Sequence, residues 1–97
     1  MTLYEDEISV NESVRGACEI LGFDPLYIAN EGKVLIIVPE KDVHPILDIM
    51  RSHKEGRKAK LIGRVTENDP GIVKLQTTIG STRIVDMMTG EQLPRIC

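Results

Sequence analysis

From Val10 onward the apolar residues fall at helical spacing: Val10, Val14, Ala17, Cys18 and Leu21 make one stripe. Ser9 and Glu12 stand in the S-x-x-E relation of a capping box, in which each end satisfies an orphan backbone N–H. The spacing therefore predicts a helix opening at Ser9 and closing at Gly22, where a helix C-terminus favours positive φ. The eight residues before it, MTLYEDEI, are acidic and show no period, and residues 1–9 read as the remnant of a linker. Beyond Gly22, Phe23-Asp24-Pro25 reads as a turn, Leu26 to Ala29 as a short strand, and Asn30 to Lys33 as a tight turn. Val34 to Val38 (VLIIV) is an unbroken run rich in β-branched residues, as in a strand covered on both faces or at the sheet centre.

A second helix is expected from Asp42 as N-cap, with Val43, Ile46, Leu47 and Met50 as its buried face. Pro45 is tolerated there because it falls in the first turn, where its missing N–H costs nothing. This helix should fray by His53 and the segment close at Gly56. The remainder reads as sheet. Lys60 to Thr66 is a strand interrupted at Gly63, where a bulge or a close backbone contact is expected. Asn68-Asp69-Pro70-Gly71 is a turn, Ile72 to Thr77 alternates apolar and polar, Ile79-Gly80-Ser81 turns again, and Thr82 to Asp86 is a last strand. The order predicts an α+β fold, with two or more helices packed on a mostly antiparallel sheet over residues 10–86. After Asp86 the period stops, and residues 87–97 (MMTGEQLPRIC) read as an extended C-terminal tail.

Composition narrows the classes. Ninety-seven residues suit one domain, and 41% apolar with 28% charged residues is ordinary for a globular chain. Aromatics are confined to Tyr4, Phe23 and Tyr27, so the core must be aliphatic. A net charge of −3 argues against nonspecific nucleic-acid binding, which needs a basic surface. The densest basic stretch, Arg51 to Lys60, includes Glu55 and reads as a solvated loop. No apolar run approaches the ~20 residues of a membrane span, and no signal-peptide pattern opens the chain, so a cytoplasmic location is expected. Two cysteines form neither a disulfide framework nor a metal quartet, and His44 and His53 share no ligand spacing with them. No metal site is expected.

The candidate chemistry sits at one turn and at the end of the chain. Cys97 is the last residue; a thiol there has the reach a nucleophile needs once deprotonated, its own α-carboxylate disfavouring the thiolate and the nearby Arg95 opposing that effect. The residues alone leave open a plain terminal cysteine in a frayed tail. Pro94 stiffens the approach to it. Glu31 in the Asn30-Glu31-Gly32 turn is a candidate base, though the same three residues make an ordinary turn. Thr82 and Arg83, after Gly80, suit phosphate contact or docking of the tail, since arginine makes bidentate contacts with phosphate. No Walker A loop occurs. Cys18, on the first helix stripe, reads as an inert core thiol.

The segments RGACEILG (Arg15–Gly22), DPLYIANEGK (Asp24–Lys33) and GSTRIVDMMTGEQLPRIC (Gly80–Cys97) resemble the C-terminal third of the HypE family of hydrogenase maturation factors, in the AIR-synthase-related (PurM-like) superfamily. The terminal P-R-I-C is the most discriminating part. The resemblance implies a PurM-like C-terminal domain and a carbamoyl group carried on Cys97. ATP-driven dehydration would convert that group to a thiocyanate, the cyanide donor for the Fe(CN)₂CO centre of [NiFe]-hydrogenases. It implies Glu31 as the base of that step, with Asn30, Gly32, Thr82, Arg83, Pro94 and Arg95 positioning tail or phosphate. ATP and Mg²⁺ would be bound mainly by an N-terminal domain outside these 97 residues, with no cofactor held by this chain. The partners implied are the carbamoyltransferase HypF and the cyanide-accepting HypC–HypD complex, with a homodimer of the longer protein. This chain by itself is expected to lack the dehydration step. The competing expectation is a free-standing α+β module that binds a small ligand at the Asn30–Gly32 turn, with Cys97 incidental.

Overall fold

The computed structural model describes residues 1–28 and 31–86. They divide into two compact units, one of residues 1–9 and 36–86, the other holding residues 10–35. The larger unit contains a four-stranded mixed sheet: β1 (Thr2–Tyr4), β2 (Gly63–Arg64), β3 (Val73–Gln76) and β4 (Thr82–Val85), in the order β2-β1-β3-β4. β1 runs antiparallel to β2 and parallel to β3, and β3 runs antiparallel to β4. Together with helices α1 (Glu12–Leu21) and α2 (Val43–Arg51), this is the expected α+β class, antiparallel at two of its three pairings.

The opening segment departs from expectation. Read as a linker remnant, it instead supplies β1, an inner strand bonded on both sides. The Tyr4 N–H donates to the Ile62 carbonyl (2.8 Å), and the Lys74 N–H donates to the Met1 carbonyl (2.9 Å). Three residues are too few to display an alternation; their strand character comes from partners some sixty to seventy positions away. Leu75, at the centre of β3, is 1% exposed, and it pairs with Leu3 on one side and Arg83 on the other.

Gly63 explains itself on the other flank of β1. A Cβ at this position would run into the Thr2 carbonyl oxygen and lie 2.8 Å from Leu3 Cδ2. The close backbone contact expected at this glycine is present, and only a residue without a side chain admits it. The expected Lys60–Thr66 strand is correspondingly short, two residues of ladder around Gly63.

α2 follows the sequence closely. Asp42 is its N-cap residue and Pro45 lies in its first turn. Val43, Ile46, Leu47 and Met50 are half-buried, while His44, Pro45, Asp48 and Ile49 face solvent. Asp42 makes no side-chain cap bond, because a 3₁₀ turn over Glu40–Asp42 already leads the backbone in with helical geometry. At the other end the Ser52 hydroxyl donates to the Ile49 carbonyl (2.6 Å), and Gly56 packs so closely on the Met50 carbonyl that a Cβ there would collide with it.

The turns around the sheet are as read. Asp69 and Gly71 take positive φ (49° and 79°) in the turn before β3. Between β3 and β4 the Thr77 N–H donates to the Ser81 carbonyl (2.8 Å), the two hydroxyls lie 2.7 Å apart, and Gly80 has φ 83°. Two surface ion pairs flank the sheet, Arg64 with Glu40 at 2.7 Å and Lys74 with Asp69. The hydrogen bond from each cation, reinforced by its charge, holds its partner carboxyl below the usual carboxylate range.

In the smaller unit α1 starts later than the sequence suggests. Asn11 rather than Ser9 is the N-cap residue, it makes no side-chain cap bond, and the capping box does not form. The C-terminal end is as expected: Gly22 is left-handed (φ 72°) and its N–H donates to the Cys18 carbonyl. Of the predicted stripe only Cys18 is fully buried (3% exposed); Val14 and Leu21 are exposed. Period identifies the apolar face of a helix, not what covers it.

Two expected strands do not form among the described residues. Leu26–Ala29 is replaced at its start by a 3₁₀ turn over Pro25–Tyr27, and Ala29 lies outside the described residues. Asp24 causes this: its side chain accepts from the Leu26 N–H (3.0 Å) and its carbonyl from the Tyr27 N–H (3.0 Å), with Pro25 fixing φ between them. The Val34–Val38 run joins no ladder among the described residues, and Val34 to Ile37 are 48–74% exposed. Propensity marks a segment as strand-competent, but a strand exists only where another backbone bonds to it.

Two outcomes follow. Gly63→Ala should cost about 1–3 kcal/mol, the usual penalty for overpacking, seen as a lowered urea midpoint with unchanged slope. Glu40 and Asp69 have depressed folded-state values, so their contribution is present above the unfolded carboxylate range, around pH 4, and fades as pH falls through the folded values. Urea midpoints taken between pH 6 and about pH 2 should accordingly fall less steeply in a Glu40→Gln/Asp69→Asn double variant than in wild type.

Candidate functional site

The candidate residues fall on three pieces of backbone. The first is the turn at Glu31–Gly32 in the smaller unit. Gly32 has φ 75°, a conformation L-residues seldom adopt, with open space where a Cβ would project. The glycine therefore serves the backbone path rather than making room for a neighbour. Glu31, beside it, is exposed. An exposed carboxylate on a tight turn can accept a proton from a group brought to it. Asn30 lies outside the described residues.

The second piece is β4, an edge strand. Its register with β3 sets Thr82 across from Gln76 and Arg83 across from Leu75. Successive side chains of a strand point to opposite faces. Thr82 and Arg83, adjacent in sequence, thus serve different faces of the sheet, Arg83 on the face of Leu75 and Leu3. They do not form one two-residue phosphate grip. Both are exposed, as an edge position allows. The Glu31–Gly32 turn and the Thr82–Arg83 pair belong to different units.

The third piece is the chain end. Pro94, Arg95 and Cys97 lie outside the described residues, which stop at Asp86, one position after β4. Cys18 is buried in the smaller unit, which supports its reading as a core thiol. His44 and His53 are both exposed. Among the described residues no three His, Cys, Asp or Glu side chains converge on a point a metal ion could occupy. None of the described helices is long and apolar enough to cross a membrane.

The residues overlooked in the sequence are structural supports of β4. Thr77 and Ser81 tie the hairpin together through hydroxyl and backbone bonds: the Ser81 N–H and the Thr77 hydroxyl bond each other's residue at 3.1 Å. Their signal was present as a Thr four residues before a Ser, flanking the turn at Gly80.

Comparison with known proteins gives a consistent result. The carbamoyl dehydratase HypE of Azotobacter vinelandii is 50% identical over all 97 residues, which make up 28% of that relative's length. A crystal structure of the hydrogenase maturation protein HypE in complex with ATP superposes with a TM-score of 0.84 at 41% identity, over 99% of this chain and 30% of that one. A crystal structure of a HypE–HypF complex gives 0.79 at 45% identity, over 88% of this chain and 27% of that one. The chain thus spans less than a third of the relatives it matches. The model of the AIR synthase related protein C-terminal domain matches residues 1–76, and the chain belongs to that family.

Proposed function

We propose that this chain is the C-terminal domain of an ATP-dependent carbamoyl dehydratase that makes the cyanide ligand during hydrogenase maturation. The observation that carries the reading is the 50% identity to a carbamoyl dehydratase HypE that runs the whole length of the chain, through the position of Cys97. The likeness to a HypE bound to ATP supports nucleotide use by the longer protein, and the likeness to HypE in a HypF complex supports a HypF-type carbamoyltransferase as partner.

In this reading Cys97 is the carrier. Its thiolate takes a carbamoyl group from the transferase, giving a thiocarboxamide. Eleven residues follow Asp86, a contour length on the order of 36 Å at ~3.3 Å each, which sets the upper limit on the reach of the sulfur from β4. ATP phosphorylates the carbamoyl oxygen. Loss of phosphate, with both nitrogen protons removed, leaves the C≡N bond of a thiocyanate on Cys97. The solvent-facing carboxylate of Glu31 is the group on this chain suited to accept such a proton, and Asn30 and Gly32 help position the tail or phosphate. Pro94 and Arg95 position the tail, while Thr82 or Arg83, from opposite faces of β4, docks it or meets phosphate. In this reading the nucleotide and its magnesium are held mainly by a part of the longer protein outside these 97 residues. A HypC–HypD type complex receives the cyano group, and the longer protein works as a homodimer.

Intact-mass measurement tests the carrier step. With a HypF-type transferase, carbamoyl phosphate and ATP, the full polypeptide should gain a carbamoyl group and then lose water, whereas Cys97→Ala should gain nothing. Equal labelling of the two would overturn the proposal. Glu31→Gln should still accept the carbamoyl group but lose water more slowly by about 10²–10⁴-fold, the usual worth of a general base, and so accumulate the thiocarboxamide. The 97-residue chain alone, given the same donor system, should stop at the carbamoyl adduct.

A further inference from the structure

The segment from Arg51 to Lys60 holds five cations and one carboxylate, net +4, while the other residues hold seven cations and fourteen carboxylates, net −7. A basic stretch on an acidic chain is unremarkable if it is a loose, self-neutralised loop. It is neither here. The Arg51 Nε–H donates to the Ala59 carbonyl (3.0 Å), closing the loop across eight positions. The Gly56 N–H donates to His53 and the Ala59 N–H to Gly56, while Gly56 rests on the Met50 carbonyl at the end of α2. Lys54, Arg57, Lys58 and Lys60 all face solvent, and none of them is ion-paired with a described residue. The negative end of the α2 dipole accounts for cations in and just after its last turn, at Arg51 and Lys54, but its influence does not extend to Arg57, Lys58 and Lys60.

We propose that this loop is a docking surface for an acidic segment of a partner protein. The alternatives fit less well. A nucleic acid would lay its phosphates along a longer track than four cations offer, and beyond the loop it would meet a chain of net −7. The loop has no Phe, Tyr or Trp to stack on a base; its one aromatic ring is the imidazole of His53. A membrane surface would favour apolar side chains among the cations, and between Arg51 and Lys60 the apolar content is Ala59 alone. A short run of carboxylates matches the charge, the small footprint and the fixed backbone. Its contribution is to steer encounter and set orientation, in a salt-dependent way. This surface is separate from the carbamoyl chemistry and does not depend on it.

The test uses the full polypeptide and a fluorescent oligo-glutamate peptide at low ionic strength. Binding should weaken about tenfold or more on Lys54→Glu/Arg57→Glu/Lys58→Glu, and also with added salt, as expected where paired charges carry the contact. The control Arg15→Glu/Lys33→Glu/Lys41→Glu changes net charge equally and should bind nearly as wild type. Carbodiimide coupling of the bound peptide should map to Lys54, Lys58 and Lys60 rather than Lys33, Lys41 or Lys74. The proposal is overturned by absence of binding, by equal loss in both triple variants, by couplings scattered over all lysines, or by tighter binding of duplex DNA or phosphatidylserine vesicles than of the peptide. Far-UV circular dichroism matching wild type confirms that both variants fold.

Discussion

The sheet of the larger unit depends on a three-residue strand that has backbone partners on both sides. Thr2–Tyr4 bonds to Gly63–Arg64 along one edge and to Val73–Gln76 along the other. Without it, β2 would have no neighbour and β3 would keep only β4. Each pairing bridges a long stretch of chain, so its closure entropy is recovered only when the whole unit assembles. Gly63 and Leu75 show the two conditions for this. One flank of β1 must approach so closely that no side chain fits, and the other must bury an apolar one almost completely.

That arrangement determines what the candidate residues can do. Among the described residues β4 bonds to β3 alone and so lies at an edge of the sheet. An edge strand presents side chains on both faces, and the chain continues from it toward Cys97. The register divides Thr82 from Arg83, so the pair acts from two sides of the sheet. The hydroxyl bonds between Thr77 and Ser81 hold the hairpin that sets this register. Glu31 is exposed in a different setting, next to Gly32 with its positive φ. Strand pairing supports one set of residues and turn geometry the other.

Charge is distributed with similar economy. The two sheet-side ion pairs are exposed, and pairs of that kind add little to stability. The loop after α2 does the reverse, holding its cations on a braced backbone with no described carboxylate to meet them. Unspent charge at a surface is more informative than paired charge, because solvation alone does not require the backbone beneath it to be rigid.

Local chemistry, readable in the order of residues, settled α2 and its half-buried face, the glycine that ends α1, the turns at Asp69–Gly71 and Gly80, and the buried place of Cys18. Gly32 was also legible as a turn residue, and it has positive φ. Tertiary structure alone decided that Thr2–Tyr4 is an inner strand, that Val34–Val38 pairs with nothing among the described residues, and that α1 begins at Glu12 without its capping box. It also placed Thr82 and Arg83 on opposite faces. Helices and turns close their hydrogen bonds within a few residues, so neighbouring side chains carry the information. A strand closes its bonds with distant backbone, and nothing in three residues or five states which backbone will be there.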